Sequence, residues 1–386
     1  MKVLKCLCLM FAFVLCLTCV PSSTIYTQAA EFVTQTKTHA FLLMDAKSGK
    51  IVVNHEGDTA FSLASMTKIF SLKLVFDAIS NGALQVDDKV RVSEHATSVK
   101  GSSAFLDKNK EYFVKDLIKA CVVASANDAM VALAEKIAGS EEVFVAKMND
   151  LAVRLQLKNT HFANCTGLPV ENHYSSAVDV AIMYQQIMNE PLYKEYAKIW
   201  MDTLVHESGR KTDLVNTNRL IKTYTNCDSG KTGYTDDAGF CLVSTAHLNN
   251  MQFICVVMGA ETSKDRFNLA TNLFNFGFAN YESVVVLDNE NTKVQVPVKN
   301  GVNHSVTAMP VESVWDTVEK GEESAMKVKV ELFENVSAPI MQGAKVGVAY
   351  VANADGVVVK EIDIVSCDYN EKIDVKHILE KLIYEW

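Results

Sequence analysis

Apolar and polar positions along this chain follow three successive rhythms, and each change of rhythm marks a change of architecture. Near the start, "AFLLMDAKSGKIVVN" sets apolar runs on either side of a Lys-Ser-Gly-Lys turn, the pattern of a β-hairpin. From Ser65 to Tyr196 the apolar positions recur at mostly helical spacing. "VKDLIKACVVASANDAMVALAEKIAG" carries that period to Gly139, a helix stop signal, and "EEVFVAKMNDLAVRLQL" and "AVDVAIMYQQIM" continue it. Strand patterns then return. "GFCLVSTA" and "MQFICVVMGA", joined through "HLNN", read as an antiparallel pair, and "DRFNLATNLFNFGFANY" reads as a closing helix. This order predicts an α+β fold, an antiparallel sheet with helices on its faces plus a helical insert.

Past Tyr281 the texture alternates with period two in "SVVVLDNENTKVQVPV", "MKVKVELFE" and "AKVGVAYVANADGVVVKEIDIV", punctuated by Asp-Asn and Asp-Gly turns. The expected organisation is a first domain over 31–281, a small all-β domain over 282–370, and a terminal helix over 371–386. In that last segment Val375, Ile378, Leu379, Leu382 and Trp386 form one stripe at helical spacing. Such a helix either lies on the outer face of a membrane or docks on its own domain. Its mixed charges weaken any attraction to anionic lipid.

The first thirty residues follow none of these rhythms. Lys2 and Lys5 precede an apolar run from Cys6 to Val20, and a polar stretch ends in Ala29 and Ala30. That is the layout of a signal peptide over 1–30, which implies an exported, extracytoplasmic protein; an uncleaved N-terminal anchor is the alternative. Composition fits a globular protein, with 49% hydrophobic and 22% charged residues among 386. A formal charge of −9 without any basic stripe argues against a nucleic-acid partner. Four of the ten cysteines leave with the signal, and the other six lack CxxC spacing. The nine histidines are scattered and no HExxH is present, so neither a metal nor another cofactor is expected.

The chemistry begins at "FSLASMTKIF". Ser65 and Lys68 stand three apart, neighbours on one helix face, in a segment that is apolar nearly all round. Burial lowers an amine's pKa and makes Lys68 a usable base, and the helix N-terminus favours negative charge developing on the Ser65 oxygen. Together they form a nucleophile with its activator. An isolated Ser-x-x-Lys is equally well a helix cap with a snorkelling lysine. "VVASANDAM" places Ser125 and Asn127 at a break after an apolar stretch, where the serine can relay a proton and the amide can hold a substrate carbonyl. Capping is the plainer reading there. "SGKTGYTDDAGFCLV" puts Lys231, Thr232 and Gly233 on a strand, suited to an anionic group and to a peptide added as a further strand, or else to protecting an edge.

The ordered set changes the balance. Sixty residues separate Ser65 from Ser125, and 106 separate Ser125 from Lys231. SxxK, SxN and KTG in this order resemble the signature of penicillin-binding proteins and class A β-lactamases. "LLMDAKSGKIV", "SSAFL", "NTHFANCTGLPVENHYSSAVDVA", "NTNRLI", "KTGYTDDAGFCLVSTA" and "SAPIMQGAKVGVAYV" extend the likeness over nearly the whole mature chain. They resemble D-alanyl-D-alanine carboxypeptidases of the low-molecular-mass penicillin-binding class. The resemblance implies that Ser65 attacks the carbonyl between the terminal D-alanines of a peptidoglycan pentapeptide, that Lys68 takes its proton, and that Ser125 passes a proton to the leaving D-alanine. It implies further that Asn127 orients the substrate, that Lys231 and Thr232 hold the terminal carboxylate, and that the N–H groups of Ser65 and Tyr234 form the oxyanion hole. β-Lactams would acylate the same serine. Two positions depart from the family pattern: Leu63 stands where a proline is usual, and Gly230 where an aliphatic residue is common. A β-lactamase would need a deacylating glutamate, and 143–170 contains none. A non-catalytic binder is the other alternative, against which the intact Ser65, Lys68, Ser125 and Lys231 speak.

Overall fold

A computed structural model describes residues 31–384. The expected signal segment, 1–30, lies outside the described residues. Strands β1 (Ala40–Asp45) and β2 (Ile51–His55) form the anticipated hairpin, closed by a turn in which the Asp45 carboxylate accepts from the Ser48 N–H at 2.7 Å. The β1 run "AFLLM" is apolar at every position because the sheet is covered on both faces. Ala40, Leu42 and Met44 pack with the helical insert, while Phe41 and Leu43 pack with the Ser263–Asn280 helix.

Two short strand pairs that the pattern did not announce appear, one within the helical stretch and one just past it. β3 (Lys89–Arg91) pairs with β4 (Glu111–Phe113), and β5 (Met201–Val205) with β6 (Lys211–Val215). The three-residue strands β3 and β4 are too short to establish a period of two. The long apolar stretch divides into helices Val114–Val123 and Asn127–Ala138, the second ending at Gly139 with φ 83°. β7 (Cys227–Thr235), β8 (Gly239–Leu248) and β9 (Met251–Ala260) complete the main sheet, in the order β2-β1-β9-β8-β7 with every pair antiparallel. β7 is thus an edge strand, and the β8–β9 turn is only Asn249-Asn250, shorter than "HLNN".

Beyond Tyr281 the structure is all-β up to Ser366. β10 (Tyr281–Leu287) pairs with β13 (Val314–Glu319). β11 (Val294–Pro297), β12 (Ser305–Pro310), β14 (Lys327–Leu332), β15 (Lys345–Ala352) and β16 (Val358–Ser366) form a second sheet, ordered β11-β12-β16-β15-β14. Its own core includes Val296, Ala308, Ala349, Val351 and Ile364. It meets the β1–β2 turn through β13: Ser48 Oγ and Thr317 Oγ1 are 2.7 Å apart, Lys50 Nζ donates to Thr317 O at 2.6 Å, and Lys47 Nζ lies 4.1 Å from the Trp315 ring centroid. The terminal helix runs Val375–Tyr384, with Val375, Leu379 and Ile383 exposed at four-residue spacing. The side chains of Ile378, Leu382 and Trp386 lie outside the described part. Among the described residues no helix is long and apolar enough to cross a membrane.

Candidate active site

Ser65 sits in a single 3-10 turn, Ala64–Met66, that leads into the Thr67–Ser80 helix. That helix buries nine of its fourteen residues, Lys68 among them, so the amine is carried inward by its apolar neighbours. Lys68 Nζ donates to Ser65 Oγ at 3.0 Å and to Thr166 O at 2.8 Å. Loss of hydration lowers its pKa to about 8, against a smaller upward pull from Cys121, Cys165 and Asp128. Near neutrality such an amine gives up its proton far more readily than a surface lysine, and it lies within hydrogen-bond reach of a hydroxyl.

Ser125 occupies the break between two helices with φ 62°, a left-handed conformation that serine rarely takes. Lys231 Nζ donates to Ser125 Oγ at 2.8 Å and to Thr232 O at 2.7 Å. Lys231 is wholly buried. Desolvation, then the nearby Lys68 and Arg266 charges, hold its pKa well below the usual lysine value. Two of the three donors that a lysine amine can offer are thus committed to Ser125 and to the Thr232 carbonyl. The hydroxyl of Thr232, beside it, donates to Thr217 Oγ1 at 2.7 Å.

Strand alternation explains how β7 serves both serines. Residues 231 and 233 face one side of the sheet, so the Lys231 side chain reaches Ser125 while Gly233 lies under the Ser65 turn. A Cβ on Gly233 would stand 2.8 Å from Leu63 O and 3.1 Å from Ser65 N. The glycine thus clears space for the Ser65 turn. Gly230 is explained the same way, since a Cβ there would meet Asn218 Nδ2 at 2.4 Å. Tyr234 follows at the rim, half-exposed, its ring stacked on Phe240 with centroids 4.3 Å apart.

Asn127 is tied back to the loop that precedes it in the chain. Its Nδ2 donates to Lys100 O at 2.6 Å, which leaves Oδ1 buried without a partner among the described residues. The unpaired Oδ1 is an acceptor suited to a substrate N–H, and the second N–H of Nδ2 is a donor suited to a carbonyl. A buried polar atom left unpaired in the free protein is costly, and a ligand N–H removes that cost.

Sequence reasoning missed several supports of this site. The Asp128 carboxylate accepts from Ser103 Oγ at 2.7 Å and from the N–H groups of Ala104 and Leu106 at 2.9 and 3.0 Å, pinning the "SSAFL" loop beside Asn127. Arg266 is a buried cation behind β7. It donates to Gly233 O at 3.0 Å and Cys241 O at 3.1 Å, and it packs on the rings of Phe267 and Phe240. Its position in an otherwise apolar helix face was the one signal available. Thr166 contributes a carbonyl, and no residue-type pattern announces a backbone atom.

The profile of the D-alanyl-D-alanine carboxypeptidase family matches residues 26–262, and that of the penicillin-binding protein 5 C-terminal domain matches 281–372. The D-alanyl-D-alanine carboxypeptidase DacF of Bacillus subtilis is 38% identical over 346 residues, 89% of each chain. DacC of Escherichia coli is 33% identical over 320 residues, 80% of this chain and 78% of that one. In structure the chain is similar to penicillin-binding protein 5 from Haemophilus influenzae, with TM-score 0.71 and 32% identity, covering 89% of this chain and 100% of that one.

Proposed function

The chain belongs to the D-alanyl-D-alanine carboxypeptidase family, and on that footing we propose that Ser65 is the nucleophile of a serine-type D-Ala-D-Ala carboxypeptidase. The substrate is a peptidoglycan stem pentapeptide. Ser65 Oγ attacks the carbonyl joining the two terminal D-alanines as neutral Lys68 takes its proton across the 3.0 Å hydrogen bond. The tetrahedral oxyanion is received by the N–H groups of Ser65 and Tyr234. Ser125, bonded to Lys231, delivers a proton to the departing amine. The unpaired Oδ1 of Asn127 accepts a substrate N–H. The Thr232 hydroxyl, which rests on Thr217 Oγ1 in the free protein, turns to the terminal carboxylate beside the Lys231 amine. Water then releases the shortened peptide, and β-lactams form a longer-lived adduct at the same oxygen. The observation that carries this reading is the buried Lys68 amine, with pKa about 8, bonded to Ser65.

The remaining assignments follow the same reading. Residues 1–30 are an export signal, 31–281 the peptidase domain, 282–370 an accessory β domain and 371–386 an amphipathic helix. The protein acts outside the cytoplasmic membrane. The exposed Val375, Leu379 and Ile383 make that helix suited to peripheral membrane contact. Release of D-alanine from diacetyl-Lys-D-Ala-D-Ala tests the activity, with Ser65→Ala as control. An inert wild type favours a non-catalytic binder, and loss of a penicillin adduct within seconds favours a β-lactamase.

A further inference from the structure

We propose that His173 and Thr67 form a positioning relay that holds the peptide plane between Ala64 and Ser65, and thereby aims the Ser65 N–H into the oxyanion hole. The inference rests on the assignment of Ser65 as nucleophile. The Ala163 N–H donates to His173 Nδ1 at 3.1 Å. In the neutral ring Nδ1 is therefore the bare nitrogen, and the single ring proton is on Nε2. Nε2 lies 2.7 Å from Thr67 Oγ1 and donates to it. Thr67 has one hydroxyl hydrogen, and it goes to Ala64 O at 2.8 Å. The direction of every bond in the chain is thus determined, from Ala163 through His173 and Thr67 to the Ala64 carbonyl.

That carbonyl and the Ser65 N–H belong to one planar peptide group and point in opposite directions, so restraining one orients the other. The restraint is needed. Ala64 has φ 47°, a left-handed conformation that alanine avoids and that persists only where the surroundings impose it. Gly167 presses on the same carbonyl, since a Cβ there would stand 1.9 Å from Ala64 O. On the opposite side, Ser65 N lies 3.1 Å from the Cβ that Gly233 lacks, beside the strand that brings the Tyr234 N–H. The relay is built to stay neutral. Burial, then the facing His161 and Lys68, lower the His173 pKa to about 4, so the ring does not titrate at working pH. His173 makes no hydrogen bond to Ser65, which distinguishes it from a general base.

The test compares Thr67→Val, His173→Leu and His173→Gln with the wild type, using acylation by a chromogenic penicillin and inhibition by a D-Ala-based peptide boronic acid. The boronate's tetrahedral adduct places an oxygen in the hole. Thr67→Val and His173→Leu should each slow acylation about 10- to 100-fold and weaken boronate binding by a similar factor, a partial version of losing one oxyanion donor. KM for the peptide and the midpoint of the Lys68 pH limb should not move. His173→Gln, whose amide can donate to Thr67 and accept from Ala163, should recover most of the rate. Wild-type acylation in Thr67→Val overturns the relay, and so does a loss carried by KM or by a shifted pH limb. Thr67→Val keeps the side-chain shape and decides the matter even if His173→Leu does not fold. A wild type that forms no adduct at Ser65 removes the nucleophile assignment instead, a result separable from failure of the relay.

Discussion

The peptidase region and the C-terminal β region treat charge in opposite ways. Around β7 three basic side chains, Lys68, Lys231 and Arg266, are buried with no salt bridge to a carboxylate among the described residues; hydroxyls and carbonyls bond the two lysines, carbonyls bond the Arg266 Nη1, and the Arg266 Nε has no partner there. In the β region surface charges pair, as in Lys345 with Asp363 and Lys360 with Glu312, the packed core is aliphatic, and the buried carboxylate Asp316 has a lysine, Lys50, at 3.9 Å. Backbone strain divides the same way. Ala64, Phe105 and Ser125 hold left-handed conformations in or beside the cleft, and Glu56 and Gln156 do so elsewhere in the peptidase region, whereas past Tyr281 only Asn300 does so among the described non-glycine residues, and asparagine tolerates it well. One region accepts unfavourable local choices where chemistry needs them, and the other is locally consistent throughout.

The contrast is most readily broken at Lys68. Lys68→Met should lower penicillin acylation about 1,000-fold or more, the loss of a general base, while thermal unfolding shows no loss of stability. Normal labelling by a fluorescent penicillin would refute the base assignment. The pH dependence of stability sharpens the point. A lysine pKa lowered from 10.5 to about 8 means that the unfolded chain binds the extra proton between those values. The wild type should therefore gain about 3 kcal/mol relative to Lys68→Met as pH rises from 8 to 10.5, with no relative change below 8, as measured by urea denaturation. Ser125→Gly comes next. Acylation and turnover should fall about 100-fold with the lost hydroxyl, while the melting temperature holds, because glycine accepts φ 62° without strain.

The β region should respond in reverse. Trp315→Ala removes the ring beneath Lys47 and should cost about 1 kcal/mol of stability in a denaturant titration, with kcat unchanged. Lys345→Ala, at an exposed pair, should leave both melting temperature and activity where they were.

What the sequence made legible follows from the same physics. The pairing of Lys68 with Ser65 and of Lys231 with Ser125, at 3.0 and 2.8 Å, involves side chains whose type alone singled them out. The double-sided burial of β1 was latent in its unbroken apolar run. The orientation of Asn127 was not readable, since it depends on the Lys100 carbonyl, 27 positions away. Thr166 and Ala64 act through backbone oxygens, which every residue possesses. Arg266 and His173 matter through what they touch, and those contacts exist only once distant loops close around the Ser65 turn.

The most direct test of a buried-base mechanism is the rate of penicillin acylation of Ser65 as a function of pH, followed by mass spectrometry of the adduct. A neutral Lys68 acting on Ser65 requires the rate to rise through a midpoint near pH 8, with that limb absent in Lys68→Met. A profile that is flat from pH 6 to 10, or one that survives the substitution, would contradict it.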